Sequence, residues 1–414
     1  MLSKQQRKVI FSACIGTVLE WYDFSIYAYL AAIFAQLFFR AAPSAALLLS
    51  YGVFAIGYLA RPLGALIFGH LGDTQGRKKA LSLSILLMAI ATCGIGLLPD
   101  YQTAGISAPL LLLIFRLLQG IAVGGEAFGS ACFIIESIPA QQIGFFSSLI
   151  WASSVVGLLL GSLIVFILLA YFQGHALYSL AWRLPFLLAA MSGLTAYYIR
   201  TKTKETPAFQ CLQSECLIEK FPIKTIFLVF ITLISQLIAL YVLSALITYL
   251  IFIFMPVYLA DILGHSRVYV NGINTIMLVL LIVLDIFFGG LSDKVGRKPL
   301  MLIAASGFMC LSYPLYWIIA QGGFIELIMA QLIFTGLAAS FQGPLMALTL
   351  DLIPVTIRYT VGSLSYNLAY SLFGGTAPLV VVYLITKTKH ITMPGLYLAV
   401  SAIGAVLILV GIKK

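Results

Sequence analysis

The sequence predicts an all-α integral membrane protein with twelve transmembrane helices arranged as two pseudo-symmetric six-helix halves. Composition is the first reason: 62% of the 414 residues are hydrophobic, 9% are charged and the mean hydropathy is +1.07, far outside the range of soluble domains. The second is that apolar runs of about 20 residues recur along the whole chain, and in hydrocarbon only a helix satisfies its own backbone groups. The third is an internal repeat. GHLGDTQGRKK at 69–79 returns as GGLSDKVGRKP at 289–299, so Asp73, Gly76, Arg77 and Lys78 are matched at one fixed offset by Asp293, Gly296, Arg297 and Lys298.

The predicted spans are 9–39, 46–70, 79–98, 108–136, 143–171, 182–200, 224–260, 269–292, 299–320, 323–352, 360–385 and 392–412. The first is too long for a signal-peptide core, carries Glu20 and Asp23 and lacks a small-residue cleavage site, so it stays as a helix. The second and third flank the first repeated loop, and the eighth and ninth flank its copy. In that loop glycine supplies backbone freedom for a tight turn, and the Asp/Arg/Lys set can make charge-assisted hydrogen bonds between helix ends. The fourth span closes on Glu136-Ser-Ile-Pro139 and the tenth on Asp351-Leu-Ile-Pro354, a second echo between the halves. Segment 201–222 is the one long polar stretch and reads as a linker. The expected organisation is therefore a half over 1–200, a cytoplasmic linker over 201–222 and a half over 223–414, repeated in parallel about the membrane normal.

The formal charge of +10 raises the question of nucleic acid, but the 24 Lys and Arg are sorted by loop and form no basic face. Lys4, Arg7 and Lys8, the two repeated loops, Arg200, Lys202, Lys204, Lys220, Lys224, Arg358, Lys413 and Lys414 all fall on one side. Arg40, Arg183, Arg267, Lys387 and Lys389 fall on the other, while Arg61 and Arg116 lie within helices. The positive-inside rule then puts both termini in the cytoplasm, and no nucleic-acid partner is expected. Four scattered histidines and six cysteines show neither metal-ligand spacing nor a nucleophile with a base, so no cofactor, metal or enzyme activity is expected.

Further motifs narrow the reading. They are GTVLEWYDFSIYAYL (16–30), RPLGALIFGHLGD (61–73), RLLQGIAVGGE (116–126), WRLPF (182–186), ETPAF (205–209), FMPVYL (254–259) and PVTIRYTVGSLSYN (354–367). With the paired loops they resemble the major facilitator superfamily, and within it the metabolite:proton symporter subfamily, whose members move proline and betaine, α-ketoglutarate, citrate or shikimate. The resemblance runs nearly end to end. It implies the major facilitator fold and alternating access in a bacterial cytoplasmic membrane, with protons as the coupling ion. Two features depart from it. Osmosensing members add a C-terminal coiled coil; none follows the twelfth span here, so sensing by that device is not expected. The turn Ala140–Gly144 also lacks a basic residue where the second half carries Arg358.

An ionised side chain at mid-bilayer costs about 2.5–3.5 kcal/mol, so each deep charge needs a reason. Glu20 and Asp23 share a face of the first helix with Tyr27 a turn beyond. Two carboxylates this close in low dielectric do not both ionise easily, a property a proton carrier requires. Arg61 and Arg116 can serve as fixed countercharges or clamp a substrate carboxylate. Glu126 sits among Gly120, Gly124, Gly125 and Gly129, whose spacing permits close helix approach. Asp285 is the one deep acid of the second half and can pair with Arg61 or another basic group. Trp151, Tyr249, Tyr258, Tyr366 and Tyr370 can line a cavity and attract a quaternary ammonium. Asp73, Gly76, Arg77 and Glu136 with Asp293, Gly296, Arg297 and Arg358 read as a cytoplasmic gate. It locks the halves in an outward-open state and releases as they rock.

The sequence thus points to a secondary transporter, expected to act as a monomer, that imports a small polar metabolite with protons. A proton-antiport exporter in the same fold is the alternative; it calls for a large apolar cavity with few charges.

Overall fold

A computed structural model describes residues 2–172, 174–219 and 230–412 as helices and connecting turns, with no strand among them. Twelve of the described helices are long and apolar enough to cross a membrane. They are α1 (Lys4–Phe38), α2 (Ala45–Gln75), α3 (Arg77–Gly96), α4 (Ser107–Ile135), α5 (Ala140–Tyr171), α6 (Gly174–Thr201), α7 (Ile231–Ile253), α8 (Arg267–Val295), α9 (Arg297–Gln321), α10 (Phe324–Leu352), α11 (Val355–Thr388) and α12 (Met393–Gly411). The protein is a multi-pass integral membrane protein. Lys220, Lys224, Lys413 and Lys414, the linker's last residues 220–222 and the start of the seventh predicted span lie outside the described residues.

Local chemistry explains where the helices depart from the predicted spans. α1 begins early because Ser3 caps it: the Ser3 hydroxyl accepts from the Gln6 N–H, and the Gln6 side chain accepts from the Ser3 N–H. α2 breaks at Ala60 and restarts at Arg61, since Pro62 has no N–H to continue the ladder. α4 breaks at Gly124–Gly125, which leaves Glu126 at the N-terminus of its second piece. α7 is regular over Ile231–Ile247, widens to π-helical turns over Thr248–Ile253 and again, past Pro256, over Tyr258–Ile262.

The chain forms two compact units. One comprises Met1–Ser137, Ser153–Lys224 and Val355–Leu364; the other comprises Ile138–Ala152, Thr225–Pro354 and Ser365–Lys414. In the first unit α3 packs along α6, α2 along α4 and α1 along α6; in the second α9 packs along α12, α8 along α10 and α7 along α12. The second set is the first with every index raised by six, as a parallel repeat requires. Small residues permit the closest of these contacts: a Cβ on Gly64 of α2 would collide with the Ile121 carbonyl of α4. Aromatic side chains fill the first unit's core, where Trp182 lies edge-on to Phe34 at 5.4 Å and to Phe38 at 5.7 Å.

Candidate functional site

Four buried polar side chains in the first unit form one chain of hydrogen bonds. Arg116 Nη1 donates to Gln119 Oε1 (2.8 Å), Gln119 Nε2 donates to Thr92 Oγ1 (2.7 Å), and Thr92 Oγ1 donates to Asp23 Oδ2 (2.6 Å). α1, α3 and α4 each supply part of it. The Arg116 guanidinium carbon lies 4.0 Å from the Tyr27 ring centroid, 5.1 Å from Phe24 and 5.2 Å from Phe54, so aromatic faces wall the charge. Tyr27 keeps its place by donating to the Ser50 carbonyl at 3.1 Å. The chain is not closed on itself. Asp23 Oδ1 and Arg116 Nε and Nη2 are buried with no hydrogen-bond partner.

Glu20 and Asp23 have separate partners in the structure. Arg61 Nη2 bonds Glu20 Oε1 at 3.1 Å, both side chains being buried, while Asp23 takes Thr92 and lies in the field of Arg116. The two carboxylates meet different neighbours: Glu20 takes an arginine and Asp23 a threonine hydroxyl. Within the first unit Arg61 is thus a partner of Glu20.

Glu126 is held by Arg200, the last residue of the sixth predicted span, which the sequence reading counts with the cytoplasmic charges. The guanidinium bonds both carboxylate oxygens, Nη2 to Oε1 at 2.7 Å and Nη1 to Oε2 at 2.9 Å. Ser130 donates to Oε1 at 3.0 Å and Ser84 to Oε2 at 2.9 Å, while Arg200 also donates to the carbonyls of Ser12 and Leu81. The acid also starts the second piece of α4, where the helix dipole favours negative charge. The pair joins α1, α3, α4 and α6.

The repeated loops make the same turn twice. Gly76 and Gly296 hold φ of 107° and 97°, a region L side chains avoid, and each separates two helices. The aspartate ahead of each turn binds backbone amides at the start of another helix. Asp73 accepts from the N–H of Tyr359 (3.1 Å) and Thr360 (2.9 Å) and from the Thr360 hydroxyl (2.7 Å). Asp293 accepts from the N–H of Gly144 (2.7 Å) and Phe145 (2.9 Å). The missing basic residue at Ala140–Gly144 is thus replaced by a helix N-terminus, whose free amides bind an anion without any side chain.

Arg77 forks onto Glu136 with Nε to Oε2 at 3.0 Å and Nη2 to Oε1 at 3.2 Å, and donates to the Val355 carbonyl at 2.7 Å. Arg358 reaches Glu136 at 3.4 Å. In the other copy Arg297 pairs with Asp351. The two differ in burial: the side chains of Arg77 and Glu136 are 0% and 1% exposed, against 15% and 43% for Arg297 and Asp351.

The linker motif ETPAF completes the first copy. Glu205 accepts from the N–H of Arg77 (3.1 Å) and of Lys78 (3.1 Å), capping α3, and Thr206 donates to Glu136 at 2.7 Å. The Phe209 ring lies 5.2 Å from the Arg77 guanidinium. Burial pushes the Glu205 carboxyl above the usual carboxylate range, with the N–H bonds from Thr206 and Lys78 pulling the other way.

These geometries set an expected ranking. Asp73→Asn removes the charge from three hydrogen bonds in a fully buried setting, each bond to a charged group being worth about 1.5–3 kcal/mol. It should slow transport cycling more than it weakens ligand binding. Asp293→Asn, with two such bonds, should act in the same direction and less strongly. Unchanged transport rates in both variants would remove the gating role.

In the second unit the sequence candidates divide. Tyr366 stacks on Tyr370 at 4.4 Å, with Trp151 at 6.2 Å from each. Tyr258 is spent on packing: its hydroxyl donates to the Ile391 carbonyl and its ring meets Tyr316 at 5.5 Å. Tyr249 lies edge-on to Tyr370 at 6.4 Å. Asp285 is buried with neither oxygen bonded. Sequence reading missed Thr92, Gln119, Arg200, Thr360 and the cluster in which Gln342 donates to Ser244 and Thr248. The signal for Gln119 and Gln342 was an amide inside a span, where an unpaired polar group is costly.

Comparison with known proteins agrees with this architecture. Residues 13–378 match the Major Facilitator Superfamily. The proline/betaine transporter of Escherichia coli (strain K12) is 34% identical over 412 residues, covering 96% of this chain and 81% of that one. The proton:xylose symporter XylE bound to 6-bromo-6-deoxy-D-glucose superposes with a TM-score of 0.79 at 18% identity, covering 98% of this chain and 94% of that one. The partially occluded inward-open xylose transporter XylE from E. coli gives 0.71 at 19%, covering 99% and 97%. Spans, internal repeat and paired loops therefore converge with the match over most of the chain: this protein belongs to the major facilitator superfamily, and it is a membrane transporter of a small molecule, not an enzyme.

Proposed function

We propose that this transporter takes up a small zwitterion of the proline or betaine kind together with protons, by alternating access, across a bacterial cytoplasmic membrane. One observation carries the reading. Within one unit, a buried guanidinium with two unpartnered nitrogens and a buried carboxylate with one unpartnered oxygen belong to the same hydrogen-bonded chain, walled by Tyr27, Phe24 and Phe54. Arg116 offers an edge for a carboxylate, Asp23 an acceptor for a proton or cation, and the rings a surface for an alkylated ammonium. The naming of the E. coli relative supports the same class. Asp23 takes the coupling proton, and the Asp73 and Asp293 clusters hold one state of the cycle and release in another. An organic anion would use the guanidinium and leave Asp23 opposed by like charge.

Purified protein should melt at higher temperature with proline or betaine and stay unchanged with citrate, α-ketoglutarate or shikimate, since a ligand at a hundredfold its Kd stabilises by about 2.7 kcal/mol. An organic acid acting alone would overturn the zwitterion. In vesicles, uptake should collapse with a protonophore; uptake indifferent to it would overturn proton coupling. With both termini cytoplasmic, the exposed Cys211 and Cys216 of the linker should react with an impermeant thiol reagent in inside-out vesicles only, and the reverse pattern would overturn the orientation.

A further inference from the structure

Each buried acid of the first unit has a donor or a cation. Glu20 has Arg61, Asp23 has Thr92, Asp73 has two amides and a hydroxyl, and Glu126 has Arg200. Asp285 is different: 1% exposed, it has both carboxyl oxygens buried and unbonded among the described residues. An uncompensated carboxylate in such a place costs several kcal/mol, and a bound proton removes that cost.

The setting of Asp285 is built. It lies on the buried face of α8 with Leu278, Leu281, Gly289 and Ser292, while Val279, Val283 and Phe287 face outward. Opposite, α10 presents Gly343, whose Cβ would meet the Asp285 carbonyl at 2.7 Å and the Gly289 N–H at 3.0 Å. Pro344 follows, and a proline inside a helix removes a ladder bond and gives α10 a place to bend. Two turns along the same face, about 10 Å away, a cavity of about 520 Å³ opens between Ser292, Asp293, Arg297, Leu348 and Asp351. Between acid and cavity α8 also meets α5, where a Cβ on Gly289 would lie 2.4 Å from the Ser148 side chain.

The charged and titratable groups on elements packed against α8 are Arg297, Lys298, Cys310, Tyr313 and Tyr316 of α9, Glu326 and Asp351 of α10, and Tyr258 and Asp261 past the end of α7. Asp285 makes no hydrogen bond with any of them among the described residues. On α8 itself Arg267, Tyr269, Asp293 and Lys294 sit toward its two ends.

We propose that Asp285 is a second proton-binding site of the transport cycle, loaded in the structure described here and discharging toward the cavity at the Asp293 end of α8. The proposal rests on the proton-coupled reading above. It makes the carrier a two-proton symporter, with Asp23 serving one half and Asp285 the other, and the proton moves from the carboxyl oxygen to water with no bond to carbon changed.

The test is the proton-to-substrate ratio from reversal potentials in proteoliposomes, with proline as substrate. The ratio should fall by one in Asp285→Asn, which mimics the protonated acid, and stay at the unsubstituted value in Asp285→Glu. An unchanged ratio in Asp285→Asn overturns the proposal. A wild-type protein showing no proton flux at all overturns the symport reading instead, which separates the two failures. Infrared spectroscopy covers the case in which Asp285→Asn does not fold. In Asp23→Asn protein, with Asp285 intact, a protonated-carboxyl C=O band should be present at neutral pH, and its absence overturns the proposal by itself.

Discussion

Asp23→Asn is expected to cost the accumulation that one proton supplies while leaving exchange of substrate between equal pools in place. A proton entering down about 100 mV delivers roughly 2.3 kcal/mol, or about fiftyfold in concentration. The asparagine amide keeps an oxygen for Thr92 and preserves the chain through Gln119 to Arg116, so the site stays folded. It cannot take up or release a proton, so the unbonded Oδ1 position loses its chemistry. Exchange requires no net proton movement and survives. Arg116→Ala should instead damage both modes, because it removes the clamp and leaves Tyr27, Phe24 and Phe54 facing a void. Losing charge-assisted bonds of about 1.5–3 kcal/mol weakens binding roughly ten- to hundredfold. Counterflow and gradient-driven uptake, measured side by side in proteoliposomes, separate the two variants. If Asp23→Asn concentrates substrate to the wild-type level, Asp23 is structural and Asp285 is the remaining unpaired carboxyl.

The second large effect concerns stability. Glu126→Ala or Arg200→Ala strands one charge of a buried bidentate pair, and breaking such a pair costs about 3–5 kcal/mol. Both single variants should therefore unfold at distinctly lower temperature or denaturant concentration in detergent. The double variant Glu126→Leu/Arg200→Met strands no charge and should recover much of the loss, since a matched apolar pair of similar volume is often neutral or stabilising. Because Glu126 is satisfied by four donors from Arg200, Ser84 and Ser130, this double variant should also keep proton-driven uptake. A double variant no more stable than the singles would show that the serines, and not the ion pair, hold the site.

The sequence carried the turn chemistry well and the pairing chemistry poorly. Gly76 and Gly296 could be placed from the repeat, because a tight turn between two apolar runs has local causes. Where Asp73 binds could not, since its partners Tyr359 and Thr360 are far along the chain and two of the three donors are backbone amides, which every residue carries. The absent base at Ala140–Gly144 looked like a defect for the same reason: charge was sought in side chains, and a helix N-terminus supplied it. Arg200 closes the sixth predicted span and counts among the cytoplasmic charges, as positive residues at span ends usually do. Its burial follows from the length of a guanidinium side chain that reaches back to Glu126.

Twelve spans, two halves, the paired loops and the set of deep charges follow from periodicity, composition and repetition along the chain. Those properties are local along the chain, and lipid enforces them segment by segment because each span must satisfy its own backbone. Which arginine meets which acid is settled by packing between helices. In low dielectric the nearest countercharge takes the carboxylate, and nearness between α1 and α2, or α4 and α6, is a matter of helix rotation and crossing that no spacing encodes. Glu20 went to Arg61, Glu126 to Arg200, Asp23 to Thr92 in the field of Arg116, and Asp285 to none.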